Sequence, residues 1–324
     1  MGQVFAGRYE LLDPIADGAM GSVWRVHDRR EDTVKAAKLL RQQDAGSLLR
    51  FMREQSTRIH HPHVVTPLGW AGEDDDVLFT MPLLRGGSVA TLIGDHGPLP
   101  ELWVAVLLDQ LLDALEAVHG AGVVHRDVKP GNLLLEPTGA ARPHLRLTDF
   151  GIAAPMDQPR LTEAFTSLGT RGYMSPEQEQ ALDPEPRQDL YAVAATGLEM
   201  LTAAPPPHPD TVVPPTGLGR LLRSGIDPDP GRRPQSAAEF RRLLAEAVPM
   251  DRWDPGDVEV LDHFDEEAAG AVVPETPPTR ISTRPRAVTD RTADPTASPP
   301  SMVPAVALAV LGVLLLVASG LILL

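Results

Sequence analysis

Two short strings hold side chains that packing alone would not choose. VVHRDVKPGNLLL, from Val123 to Leu135, sets Asp127, Lys129 and Asn132 on one polar loop between short apolar runs. LRLTDFGIA follows, with Asp149 ahead of Phe150 and Gly151 after another apolar run. Carboxylates, an amide and an ammonium so placed suit chemistry that binds, neutralises or moves charge. Lysine usage supports the same reading. The chain has only three lysines, Lys35, Lys38 and Lys129, although arginine is plentiful. An ammonium is a compact point charge, which a broad guanidinium fork cannot imitate. Two of the three fall in VKAAKLL, residues 34–40, and the third in the polar loop. Cysteine is absent, so thiol nucleophiles, zinc thiolates and disulfides are excluded.

These residues need a scaffold, and the patterning around them predicts one. Residues 8–40 show short alternating apolar runs broken by glycine and aspartate, as in a twisted antiparallel sheet. ELWVAVLLDQLLDALEAVHGAG, from Glu101, repeats apolar residues at helical spacing and ends on glycine, which predicts a long core helix with a C-cap. A small sheet-rich lobe therefore precedes a larger helical one, with the polar strings after the long helix.

The 324 residues suffice for a sizeable core. A formal net charge of -15 argues against nucleic acid or an anionic lipid surface as the main partner. From about Pro249 the chain loses apolar periodicity and passes through DVEVLDHFDEEA into a Pro/Thr/Arg-rich stretch, which reads as a flexible linker. Val303–Leu324 carries no charge and as a helix would span roughly 33 Å, a bilayer core. The start, MGQVFAGRYELL, lacks the features of a secretory signal or myristoylation site. The expected anchor is thus C-terminal. Arg280, Arg284, Arg286 and Arg291 lie upstream of it and favour keeping that side in the cytoplasm.

Taken in order, the strings resemble the catalytic loop and metal-binding motif of protein kinases, and the resemblance runs from about Tyr9 to Ala247. Within that family the chain is most similar to bacterial, eukaryotic-like (Hanks-type) Ser/Thr kinases; scarce lysine beside abundant Ala, Arg and Pro points to a GC-rich genome such as an actinobacterium's. The resemblance implies an α+β, bilobal protein-kinase-like fold over residues 9–247, with a β-rich N-lobe at about 9–81 and a helical C-lobe at about 83–247. An acidic, then Pro/Thr/Arg-rich juxtamembrane linker would occupy 248–301 and a single transmembrane helix 303–324. It also implies ATP and Mg2+ or Mn2+ as cofactors. KAAK matches VAIK, which puts Lys38 on the α and β phosphates, held by an ion pair with Glu54 in RFMREQSTRIHHPHVV, and leaves Lys35 facing solvent. Asp127 would accept the substrate hydroxyl proton and Lys129 would steady the transferred phosphate, a signature favouring Ser/Thr acceptors. Asn132 and Asp149 would bind the metal, for which carboxylate and amide oxygens are suitable hard ligands.

Other motifs match less closely. IADGAMGSVW keeps Gly18, Gly21 and Val23 of the glycine-rich loop, but Ala16 replaces its first glycine; Ala16 can serve if its backbone stays at negative φ, which implies weakened nucleotide affinity rather than none. FTMPLLRGGSV puts Met81 at the gatekeeper position and Pro82 next; the family's adenine contacts use the carbonyl at Pro82 and the NH at Leu84, so proline's missing donor is tolerable. Ser175-Pro176-Glu177 replaces the APE triplet, and Glu177 is expected to pair with Arg233. Asp189 matches the aspartate that braces the catalytic loop, while Ala194 stands where glycine is common. Thr162, Thr166 and Ser167 lie where relatives are phosphorylated, with Arg126 as receiver of a phosphate, whereas Thr170 is expected against Asp127 and Lys129. His60, His61 and His63 read as a structural turn rather than a metal site, and PPPHP, residues 205–209, as an ordinary loop. The short stretch from Pro209 to Leu221 replaces a helix that often helps dock substrates.

The leading expectation is a non-specific serine/threonine protein kinase in the cell membrane, single-pass, with a cytoplasmic kinase domain. Its partners would be ATP, Ser/Thr-bearing proteins and the membrane, without nucleic acid. Two copies would pair for autophosphorylation in trans. A pseudokinase scaffold is the alternative, motivated by Ala16, Ala194 and the shortened docking region. A small-molecule phosphotransferase of related fold is disfavoured by the threonine-bearing activation segment.

Overall fold

Alternating burial in the first 81 residues produces a six-stranded antiparallel sheet, ordered β1-β2-β3-β4-β6-β5. The computed structural model describes residues 3–18, 21–41, 59–73, 76–149, 154–155, 170–204 and 214–264. The strands are β1 (Val4–Phe5), β2 (Tyr9–Gly18), β3 (Gly21–Asp28), β4 (Thr33–Arg41), β5 (Gly69–Glu73) and β6 (Asp76–Met81). Strand β1, unforeseen in the sequence, precedes the alternating run. Phe5, Tyr9, Leu11, Val26, Ala37 and Leu78 bury together on one face, as period-two side chains must. Glu54, Thr162, Thr166, Ser167, the PPPHP loop and Val303–Leu324 lie outside the described residues.

Lys35 does not face solvent. It is 6% exposed, its Nζ donating to Asp28 Oδ2 at 2.7 Å and to Glu31 Oε2 at 2.5 Å. Reading β4 as a period-two strand overlooked the turn that joins it to β3, which folds two carboxylates back over the amine. Arg8 closes the network on Asp28 at 2.8 and 2.7 Å. Arg8 is also the largest influence on the Asp28 carboxyl and, with Lys35, holds it far below the ordinary range despite burial. A depressed folded-state pKa gives stability that is complete above the unfolded pKa of about 3.9 and is lost as pH falls. Asp28→Asn should therefore cost about 2 kcal/mol at neutral pH, and lose less stability than the wild type between about pH 5 and pH 3. Thermal unfolding across that range checks it; parallel pH curves would refute it.

The larger lobe is built around α2 (Glu101–Gly120), which is apolar on nearly every side and so must lie inside. It follows α1 (Val89–His96), whose N-terminus carries a capping box between Ser88 and Thr91. The C-cap of α2 is Ala121, and Gly122 takes the left-handed conformation after it, φ +77°. Short strands β7 (Val123–Val124), β8 (Leu133–Leu135) and β9 (Leu145–Leu147) follow, and β10 (Ala154–Pro155) pairs with β7. Among the described residues, helices α3 (Pro176–Glu179), α4 (Pro186–Thr202), α5 (Gly217–Gly225) and α6 (Ala237–Ala247) follow. Ala194 on α4 is fully buried, and a Cβ placed on Gly225 of α5 would lie 2.5 Å from its methyl. Gly225 thus leaves the room that the Ala194 methyl occupies at the α4–α5 interface.

Residues 248–264, expected to begin a flexible linker, instead pack on this lobe. Val258 and Val260 are buried in its core, and Val260 and Gly139 exchange backbone hydrogen bonds at 3.0 and 2.9 Å. Trp253 sets its ring edge-on to Trp103, centroids 4.9 Å apart, while Trp103 Nε1 donates to Pro255 O at 2.8 Å. An extended strap needs only alternate anchors, so it leaves no helical periodicity to read.

Candidate active site

A cleft of about 830 Å³ takes lining residues from both lobes, among them Val23, Lys38, Met81, Asp127, Asn132 and Asp149. Its upper wall comes from the β2–β3 hairpin and β4. Gly21 has φ +145°, and a Cβ there would fall 2.1 Å from Leu39 O, so no side chain fits. Gly18 pairs with Gly21 and Val23 with Lys38. Ala16, opposite Val23, is absent from the left-handed region that would have demanded glycine. Met81 ends β6, and Pro82 and Leu84 continue the wall. Lys38 pairs directly with Asp149 Oδ1; its expected partner Glu54 lies outside the described residues.

The floor is the polar loop. Arg126 of this loop and Asp149 just after β9 both leave ordinary backbone space, at φ +69°, conformations that cost energy and cluster at functional sites. Asp189 holds the first of them. Its fully buried carboxylate accepts from the NH of His125 at 2.8 Å and of Arg126 at 2.7 Å, and meets His119 Nε2 at 2.8 Å. Burial alone would raise the Asp189 pKa, but His119 and the backbone donors overcome it and the carboxyl lies below its usual range. Gln178 Nε2 donates to Arg126 O at 2.8 Å, which fixes the strained residue from its other side.

So braced, the loop converges on Asp127. Lys129 Nζ donates to Asp127 Oδ2 at 2.8 Å, and Asn132 Nδ2 to the same oxygen at 2.9 Å and to the Asp127 carbonyl at 2.8 Å. Thr170 Oγ1 donates to Asp127 Oδ1 at 3.0 Å and accepts from Lys129 at 2.7 Å. Asn132 thereby spends its amide nitrogen on Asp127, which leaves its oxygen as donor to a cation. Together with the Asp149 carboxylate, whose Oδ1 meets Lys38, it offers oxygens of the hard type that a divalent cation such as magnesium would take. Beyond the cleft, Arg233 forks onto Glu177 at 2.6 and 2.9 Å, tying the start of α3 to the segment before α6.

Residues 9–216 match the family model described as "Protein kinase domain". The chain belongs to that family. Its relatives include bacterial serine/threonine-protein kinases. Serine/threonine-protein kinase pkn3 of Myxococcus xanthus is 34% identical over 285 residues, 78% of this chain and 52% of that protein. PkaA of Streptomyces coelicolor is 32% identical over 277 residues, 74% and 50% respectively. PknA of Mycobacterium tuberculosis is 31% identical over 284 residues, 79% and 64%. The chain spans about half the length of the first of these kinases.

His263 and Phe264 also line the kinase cleft, and sequence reasoning missed them because it assigned them to the linker. The alternation of Val258 and Val260 just ahead of this aromatic pair was the available signal. The histidine cluster anchors a turn: His63 Nδ1 lies 2.8 Å from Leu145 O, and His61 Nε2 3.3 Å from Asp113.

Proposed function

We propose that this chain is an ATP-dependent Ser/Thr protein kinase that transfers the γ-phosphoryl group to protein hydroxyls. The observation that carries the reading is the Asp127 carboxylate, oriented by Lys129 and Asn132 on one oxygen and already receiving an alcohol, Thr170, on the other. That second oxygen has the geometry to accept a proton from a substrate hydroxyl. Asn132 and Asp149 would hold Mg2+ or Mn2+, which supplies neutralisation of phosphate charge, and Lys38 would bind the phosphates. As the acceptor oxygen bonds to phosphorus and the bond to ADP breaks, Asp127 takes the hydroxyl proton and Lys129 balances charge on the transferring group. Positioning and fixed charge do most of this work.

Three finer features belong to the same reading. The activation segment is phosphorylated on Thr162 or Thr166, with Ser167 a further acceptor and Arg126 the receiving cation. The span 303–324 anchors the chain with its kinase domain in the cytoplasm, where it acts in membrane signal transduction. Anchored copies meet at raised local concentration, which favours phosphorylation in trans. The test is phosphate incorporation by the full chain with ATP and magnesium or manganese, mapped by mass spectrometry, with Asp149→Asn as control. Phosphate on Thr162 or Thr166 that disappears in the control is the expected result. No incorporation into the chain or a generic acceptor protein, despite measurable nucleotide binding, would leave a scaffold instead.

A further inference from the structure

We propose that the end of the strap at residues 249–264 reaches the nucleotide site, where His263 and Phe264 form its outer wall. The inference rests on the ATP-binding reading above and assigns it residues beyond the matched kinase domain, which ends at residue 216. The strap is fastened at the segment that leaves the lobe connection. His263 N donates to Arg85 O at 2.8 Å, and Arg85 pairs with Asp262 at 3.2 Å. The glycines that follow Arg85 are shaped to receive it: a Cβ on Gly86 would lie 2.7 Å from Val260 Cγ1, and one on Gly87 2.9 Å from His263 Nε2. Phe264 N then donates to Asp262 Oδ1 at 2.9 Å, turning the aromatic ring toward the smaller lobe. There the ring centroid lies 5.6 Å from the guanidinium of Arg25 on β3, and Arg25 is itself held by Asp13 at 2.8 Å.

The strap thus crosses from the C-lobe core to Arg25 of the β2–β3 hairpin, and its last two described residues line the same cleft as Pro14, Ile15 and Ser88. An aromatic face at that mouth suits the nucleoside end of a purine nucleotide, whose flat apolar surface gains from ring contact and from exclusion of water. The glycine hairpin lacks its first glycine, so a fixed wall opposite it offers a second means of holding the nucleotide.

The experiment compares the full-length wild type with Phe264→Ala, Phe264→Trp and Leu261→Ala, a strap residue that is 61% exposed and not part of the cleft. ATP and ADP affinities are measured by calorimetry, KM for ATP and kcat with a protein acceptor, and melting temperature without nucleotide. Phe264→Ala should weaken ATP binding and raise KM by about tenfold, with kcat and melting temperature near wild type. Phe264→Trp should restore binding, and Leu261→Ala should change nothing. Equal affinities for wild type and Phe264→Ala would overturn the strap's role and leave the kinase reading standing. If the wild type bound no nucleotide at all, both would fall.

Discussion

Asp127→Asn should lower phosphoryl transfer by about three orders of magnitude while leaving nucleotide binding and melting temperature close to wild type. An amide has nearly the carboxylate's shape, so Lys129 can still donate to its oxygen and the braced loop persists. It has no basic oxygen left, however, to take the hydroxyl proton, and it presents NH2 where Thr170 or Asn132 donates to Asp127. The loss should therefore appear in kcat, with KM for ATP little changed, as expected for a group that acts only in the transition state. Single-turnover transfer to a protein acceptor, paired with calorimetry of ATP binding, separates the two quantities. Residual transfer within about tenfold of wild type would remove Asp127 from the role of base.

The second large effect is on stability. Arg233→Ala should destabilise the C-lobe by about 3–5 kcal/mol and lower its melting temperature by roughly 10 °C. Arg233 is 3% exposed and serves Glu177 with both ends of its fork, the carbonyls of Asp227, Arg187 and Pro228 at 2.7, 3.1 and 3.2 Å, and the face of Tyr191 at 5.0 Å. Its removal leaves a carboxylate in a site that desolvates it. Burial is the largest influence and pushes the Glu177 pKa upward, but the Arg233 hydrogen bonds and charge, with the hydrogen bonds from its own backbone and Ser175, together hold it below its usual range. In the wild type this pair contributes stability above the unfolded carboxyl pKa and loses it on acidification. Without Arg233 the sign inverts, because a carboxyl raised by burial is relieved when it protonates. The deficit of the variant should accordingly shrink toward pH 4, and Arg233→Lys should restore only part of it, since a point charge cannot replace the fork. Guanidinium melts at two pH values measure both; a deficit that is constant with pH would reject the pairing argument.

Much of the cleft could be read from the sequence because its parts are short polar strings inside apolar surroundings, where each residue's type departs from what packing prefers. Asp127, Lys129, Asn132 and Asp149 stand out for that reason, and so does the long helix beneath them, whose period continues for twenty residues. Lys35 was misread because alternation along a strand is silent about a neighbouring turn. The fate of a lysine depends on whether Asp28 and Glu31 fold back toward it, and strand period carries none of that information. The strap was misread for a different reason. Its burial rests on single anchors, Trp253, Val258 and Val260, spaced along an extended chain with acidic residues between them, a pattern whose composition resembles that of a linker. Compensation between Ala194 and Gly225 was also invisible, because it depends on two helices meeting at one point.

That meeting point bears on the order in which this lobe could have acquired its residues. Positions 194 and 225 share room for a single methyl group, so alanine at both would drive two helices apart, and alanine at 225 would in addition come within 3.3 Å of the Phe240 ring. Exchanging the methyl from one helix to the other by single substitutions must pass through glycine at both positions, a looser intermediate that opens a small void. The two choices are therefore coupled: the methyl on α4 is compatible only with a glycine at the end of α5.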